Sequence, residues 1–131
     1  KPKAEALPEL LYQINPYAAY ESVCVKVTPE NVRELFYDYP IVCEAFDCPD
    51  QKAMLVREVL TQCPNTTVVS GNGMAGYGDI NEIQTSRKMR HLYVCGDQHT
   101  DVGEGIGLMA PRVAACAAHE ANKGIQLIME A

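Results

Sequence analysis

Residues 40-PIVCEAFDCPDQKAML-55 change character halfway along. From Pro40 to Phe46 the side chains are almost continuously apolar (Ile41, Val42, Cys43, Ala45, Phe46), the pattern of a strand buried on both faces. The run stops at Asp47-Cys48-Pro49-Asp50. Beyond Gln51, Met54, Leu55, Val59 and Leu60 recur at helical spacing and predict a helix over residues 50–62. Strand, acidic turn and helix make half of a βαβ unit. In open α/β sheets, ligands gather at the carboxyl ends of the strands, the edge where Asp47 stands.

Upstream, Lys3 to Ile14 carries Ala6, Leu7, Leu10, Leu11 and Ile14 at helical spacing, and Asn15-Pro16 ends it. Pro8 is tolerated only near the start of that helix or at a bend. Ala19 to Val27 alternates through Val23, Val25 and Val27 and predicts a half-buried strand. Thr28-Pro29-Glu30-Asn31 supplies a cap and a first-turn proline for a short helix, Glu30 to Tyr37. Downstream, Pro64-Asn65 closes the 50–62 helix and Thr66 to Ser70 reads as a third strand. The order α-β-α-β-α-β is that of a parallel sheet with right-handed crossovers, so the fold class is α/β.

After Ser70 the pattern changes. The segment 71-GNGMAGYGD-79 has four glycines within eight residues. Ile80 to Ser86 and His91 to Cys95 predict two strands joined by the basic turn Arg87-Lys88-Met89-Arg90, a link too short for a crossover and therefore antiparallel. Residues 97-DQHTDVGEGIG-107 form a polar loop. Met109 to Glu130 predicts a last helix with Pro111 in its first turn. Val113, Ala114, Ala117, Ala121, Ile125 and Ile128 share one face, and the alanines suit close packing on a sheet.

A chain of 131 residues fits one domain with a real core. Its 47% hydrophobic and 21% charged residues place it among ordinary globular proteins. No apolar run reaches the length of a membrane span, no signal peptide is visible, and there is no low-complexity tract. The net charge of −6 argues against nucleic acid or an anionic membrane as main partner. The six cysteines contain no Cys-x-x-Cys pair, which removes the zinc-ribbon and thioredoxin signatures. Most of them sit in apolar runs, so a reducing, cytoplasmic setting is expected. The chain begins at Lys1 rather than Met, with a helix that has no lead-in, and this predicts a piece of a longer chain.

With a further strand before residue 1, Lys3, Thr28, Asp47 and the Gly71–Gly78 loop would all face one sheet edge. A lysine, a carboxylate and a glycine-rich backbone are what a nucleoside triphosphate with magnesium requires. The ordinary alternatives are a solvated lysine and a capping aspartate. Cys95, at a strand end before Gly96-Asp97, is the thiol most expected to be exposed; the alternative is an inert, half-buried cysteine. Asp97, His99 and Asp101 match no metal-ligand spacing and read as loop and capping residues.

The runs 2-PKAEALPELLYQINPY-17, 42-VCEAFDCP-49, 70-SGNGMAGYGDIN-81 and 93-YVCGDQHTDVGEGIGLMAPRVAACAAHEA-121 together resemble the ThiF/MoeB/HesA family, relatives of the ubiquitin-activating enzymes. The likeness spans nearly the whole chain. It is strongest to the carboxyl-terminal portion of the short "family 2" ThiF proteins, the sulfur carrier protein ThiS adenylyltransferases.

The resemblance implies a Rossmann-like open sheet without its first βαβ nucleotide loop, ending in antiparallel strands and a carboxyl-terminal helix. It implies adenylation of the terminal glycine of a ubiquitin-like, ThiS-like sulfur carrier, using ATP and Mg2+, in thiamine thiazole biosynthesis. Carried over, Lys3 corresponds to the lysine on the ATP phosphates and Asp47 to the magnesium-binding aspartate. Cys95 would be the cysteine that in some relatives links to the carrier. Gly71, Gly73 and Gly76 would line the groove for the carrier's tail, with a plain strand connection as the alternative.

The family's Gly-x-Gly-x-x-Gly loop, ribose-binding acid and arginine lie upstream of Lys3. The chain alone is therefore expected to be inactive. No zinc is expected. Relatives are homodimers, and an uncovered sheet edge would favour assembly. Two other classes stay open: a non-catalytic α/β binding module for a carrier or dimer partner, and a different nucleotide-dependent α/β enzyme.

Overall fold

The computed structural model describes residues 2–100 and 107–131. Its centre is a four-stranded sheet of β1 (Ile41–Cys43), β2 (Thr67–Gly71), β3 (Gln84–Met89) and β4 (Leu92–Gly96), in the order β1-β2-β4-β3. β1, β2 and β4 run parallel, with Val42 opposite Val68 and Val68 opposite Leu92. β3 lies antiparallel to β4 at the edge, as a short link requires; Arg87, Lys88 and Met89, expected in the turn, belong to β3, and only Arg90 and His91 join the two strands. The sheet is thus mixed, with a parallel body and one reversed edge strand.

Helices cover both faces. α3 (Pro49–Gln62) starts on Pro49 and follows β1. With α2 (Val32–Phe36) it packs Val32, Met54, Leu55 and Val59 against Val42, Val68 and Leu92. α4 (Ala110–Met129) crosses the other face, where Cys116 meets Val69, Cys95 and Ile83. Neighbouring strand residues alternate between these clusters, Val68 to one and Val69 to the other, as the pleat dictates. Each fully buried Val, Leu or Met contributes roughly 1.5–3 kcal/mol, so the sheet is held from both sides. No helix of the described residues is long and apolar enough to cross a membrane.

Several elements differ from the sequence-based expectation. Residues 19–27 form no strand, and residues 21–26 are exposed. The valine alternation is there, but β1 pairs only with β2, and the segment has no ladder partner among the described residues. α1 (Lys3–Ile14) buries none of its residues. It is tied to the segment that follows it by Ser22 Oγ donating to the Ala4 carbonyl and by the Tyr12 and Tyr20 rings, edge to face at 4.8 Å. β1 is three residues long because the Glu44 side chain turns back to accept from the Phe46 N–H at 2.6 Å. Ile80–Glu82 is a 3-10 turn, capped by the Asp79 carboxylate, and β3 begins only at Gln84.

The last helix forms as expected but turns a different face inward. Arg112, Cys116 and Gly124 are buried, whereas Ala114, Ala117, Ala121, Ile125 and Ile128 are exposed. Alanine is as much at home on an exposed helix surface as against a sheet, so its periodicity fixes no side. Gly124 lies near the Cys43 thiol.

Candidate functional site

β1, β2 and β4 end on one edge of the sheet, and the chain leaves each through a polar turn. After β1, the Glu44 backbone N–H continues the ladder by donating to Val69 O at 2.8 Å. Its side chain is 1% exposed overall, and its carboxylate accepts from the Phe46 N–H, from Lys52 Nζ at 3.0 Å and from Ser70 Oγ at 2.5 Å. Lys52, in the first turn of α3, also donates to Phe46 O at 2.9 Å. A buried carboxylate is tolerable only when paired and hydrogen-bonded, and Glu44 is both. The cluster fixes the 44–47 turn, so the next carboxylate, Asp47, stands exposed at the rim.

Asp47, Glu44, Lys52, Gly71, Gly73 and Glu120 line a cavity of about 260 Å³. That lies just under the roughly 300–1,000 Å³ of ligand pockets. It has room for the reacting end of a ligand rather than a whole nucleotide. The wall at β2 depends on glycine. A Cβ at Gly71 would overlap Glu120 Oε1 and stand 3.2 Å from Cys116 Sγ. Gly73 has φ +85°, and a Cβ there would overlap the Asp97 carboxylate. From Pro49, Lys52, Gly71 and Asn72 the cavity opens into a groove of about 730 Å³ between α3 and β4.

A second buried pair holds the glycine loop to the β4 turn. Arg112 donates to Asp97 Oδ2 at 2.6 Å and to Ala75 O at 3.2 Å; its Nε has no hydrogen-bond partner among the described residues. Asp97 Oδ1 accepts the backbone N–H groups of His99 and Thr100. Burial alone would raise the Asp97 pKa, but hydrogen bonds from Thr100, His99 and Arg112 outweigh it and hold the carboxyl well below the usual range. Glu82, Asp97 and His99 bring ligand-type atoms within 4.8 Å of one another. Both Asp97 oxygens are already engaged, which agrees with the capping role read from sequence. Asp101 lies outside the described residues.

On α4, Glu120 is half-buried. Burial and then the neighbouring Glu44 charge push its pKa up to about 7, against the opposing pull of Lys52. Burial and Glu120 together push the Cys116 thiol up to about 12.

The structure brings Asp47, Gly71 and Gly73 to one cavity and leaves the other expected site residues outside its lining. Gly76 is buried, with its N–H donating to Gly107 O at 2.9 Å. Lys3 is exposed on α1. The expectation of an exposed Cys95 is corrected: it is 0% exposed, its thiol contacts Thr85 Oγ1 at 3.4 Å, and burial raises its pKa. As a residue of β4 its side chain follows the pleat into the α4 core.

Sequence reasoning missed Glu44, Lys52, Glu120 and Arg112. For Glu44 a signal existed, since it is the one charge inside the apolar run 41–46. For Glu120 and Arg112 helical spacing gave none.

A family model described as "ThiF family" matches residues 1–131. A search of curated proteins returned no match. Among solved structures, the E. coli tRNA N6-threonylcarbamoyladenosine dehydratase, TcdA, is similar with a TM-score of 0.80 at 20% identity, covering 98% of this chain and 64% of that one. The same enzyme in complex with ATP gives 0.72 at 21% identity, with 98% and 65% covered. Its complex with AMP gives 0.72 at 22% identity, with 97% and 65% covered. The chain therefore spans a little under two thirds of the length of these structures, and at such identities the likeness is one of fold.

Proposed function

This chain belongs to the ThiF family, and on that footing we propose that it is the carboxyl-terminal portion, one domain, of an ATP-dependent adenylyltransferase acting on a terminal carboxylate. The substrate is the carboxyl-terminal glycine of a ThiS-like sulfur carrier, and the working enzyme is a cytoplasmic homodimer. One observation carries the reading: an exposed carboxylate, Asp47, stands on a cavity at the carboxyl edge of the sheet that Gly71 and Gly73 also line.

The chemistry joins a carboxylate to the α-phosphate of ATP and expels pyrophosphate, so negative charge accumulates at the reaction centre. Bound Mg2+ would neutralise part of it. Asp47 has the donor chemistry to hold that ion. The fixed Glu44–Lys52 pair keeps the Asp47 turn rigid, so geometry need not be reorganised during reaction. The carrier's tail is assigned to the cavity that Gly71 and Gly73 line, and the groove beside α3 gives that tail a way in. Lys3 is assigned to the ATP phosphates, which requires α1 to lie closer to the sheet edge when nucleotide is bound. Gly76, buried outside the cavity lining, is assigned to the glycine loop that carries the tail groove. Cys95, buried in the α4 core, is given no role in the chemistry.

Incubating the natural-length protein with ATP, Mg2+ and a carrier ending in Gly-Gly should yield a carrier adenylate visible by mass spectrometry. Asp47→Asn should lower its formation by about 10²–10³-fold, the scale of losing one preorganised charge contact. An unaltered yield in that variant contradicts the role of Asp47.

A second reading keeps the site and changes the substrate. The similar solved structures are dehydratases of a tRNA nucleoside whose threonylcarbamoyl group also carries a carboxylate. The net charge of −6 weighs against a tRNA partner. Adenylation of tRNA with none of the carrier would decide for it. Carrier binding indifferent to ATP would instead favour the non-catalytic binding module.

A further inference from the structure

The adenylation chemistry leaves Glu120 without a task, although its carboxyl is packed against the glycine wall of the cavity. Oε1 lies where a Cβ of Gly71 would stand, and the Cys116 thiol is 3.9 Å from it on the same helix. Groups from several elements act on Glu120. Glu44 follows β1, Lys52 comes from α3, and the Cys43 and Cys95 thiols come from β1 and β4. Asp47 lines the same cavity. Among the described residues lining the cavity, three carboxyl groups face a single lysine, and that lysine is already paired with Glu44.

With no cation held at Asp47, an anionic ligand end entering such a cavity would meet uncompensated negative charge if Glu120 were ionised. Resting on the adenylation reading, we infer that Glu120 is a specificity residue that, as a neutral acid, donates a hydrogen bond to the substrate's free carboxylate and admits it to the cavity. Its burial beside Glu44 keeps the proton on Glu120 up to about pH 7. The sign follows. Below that pH the O–H is a donor; above it, the group turns into a like charge. Affinity for a carboxylate should then fall by up to about tenfold per pH unit.

The test is calorimetric binding, to the natural-length protein, of a short synthetic peptide ending in Gly-Gly. Its free-carboxylate and carboxamide forms are compared between about pH 6 and about pH 8.5, with wild type and Glu120→Gln. Gln keeps a neutral donor of nearly the same shape, and ¹³C NMR of the glutamate carboxyls gives an independent midpoint for Glu120. The expected result is that wild type loses the carboxylate peptide as pH rises. Glu120→Gln should hold its low-pH affinity throughout, and the carboxamide should show no such trend. Matching pH profiles in the two proteins, with peptide bound, overturn the role of Glu120 and leave adenylation standing. No binding of either peptide to the folded wild type at any pH overturns the tail site and this inference together.

Discussion

Arg112 and Asp97 set the strictest demand on single residues. Their side chains are 5% and 1% exposed, so removing one partner leaves a charge buried without compensation. Arg112→Leu should cost about 3 kcal/mol at neutral pH, the lower end for breaking a buried pair. The Asp97 pKa is lower in the folded protein than its ordinary value of about 3.9, so its contribution is present above that pH and lost as pH falls through the folded value. Urea unfolding across pH should therefore show the gap between wild type and Arg112→Leu shrinking below about pH 4. A gap of constant size would contradict the pair's role. Asp47 was legible in sequence because a strand, an acidic turn and a helix mark a sheet edge by position alone. Glu44 and Glu120 were not, because periodicity registers carbon and says nothing about which charges a fold will bring face to face.

Elements were legible where a local pattern sufficed, and failed where a partner was needed. α3 and the β3–β4 hairpin follow from spacing and link length. The valines of residues 19–27 describe a strand perfectly well, but a strand exists only when another ladder takes up its backbone groups. α4 was placed to within a residue at each end, yet its buried face was misjudged. Its geometry makes a prediction that spacing could not. Gly124 is buried in the middle of the helix, and a Cβ there would meet only Cys43 Sγ at 4.0 Å, an ordinary contact. Gly124→Ala should thus stabilise the protein by about 0.5–1 kcal/mol, the helix-propensity difference, in a denaturation experiment. The reverse sign would mean that α4 sits closer to β1 than described. Gly71→Ala, by contrast, should destabilise, since its Cβ would overlap Glu120 Oε1.

At the scale of the whole molecule, apolar surface is unevenly covered. Leu7, Leu10 and Ile14 on α1, Val23 and Val25 after it, and Ile125 and Ile128 on α4 are all at least 48% exposed. β1 has one edge without a strand partner among the described residues. Unpaired edges and apolar patches of this kind drive association. The 131-residue chain of 14.4 kDa should therefore sediment above its monomer mass in isolation. A monodisperse, cooperatively melting monomer would contradict this. The α/β class was readable from the order of elements; the mixed sheet order was not, since β4 inserts between β2 and β3.

The central claim is that Asp47 serves ATP-dependent activation of a carrier's terminal carboxylate. Carrier-dependent ATP–pyrophosphate exchange tests it most directly, run on the natural-length protein, on this 131-residue chain and on Asp47→Ala of each, with a ThiS-like carrier ending in Gly-Gly. The account predicts exchange by the natural-length protein, its loss in Asp47→Ala, and none from the 131-residue chain. No exchange by the natural-length protein with any such carrier, or full exchange by its Asp47→Ala variant, would contradict it.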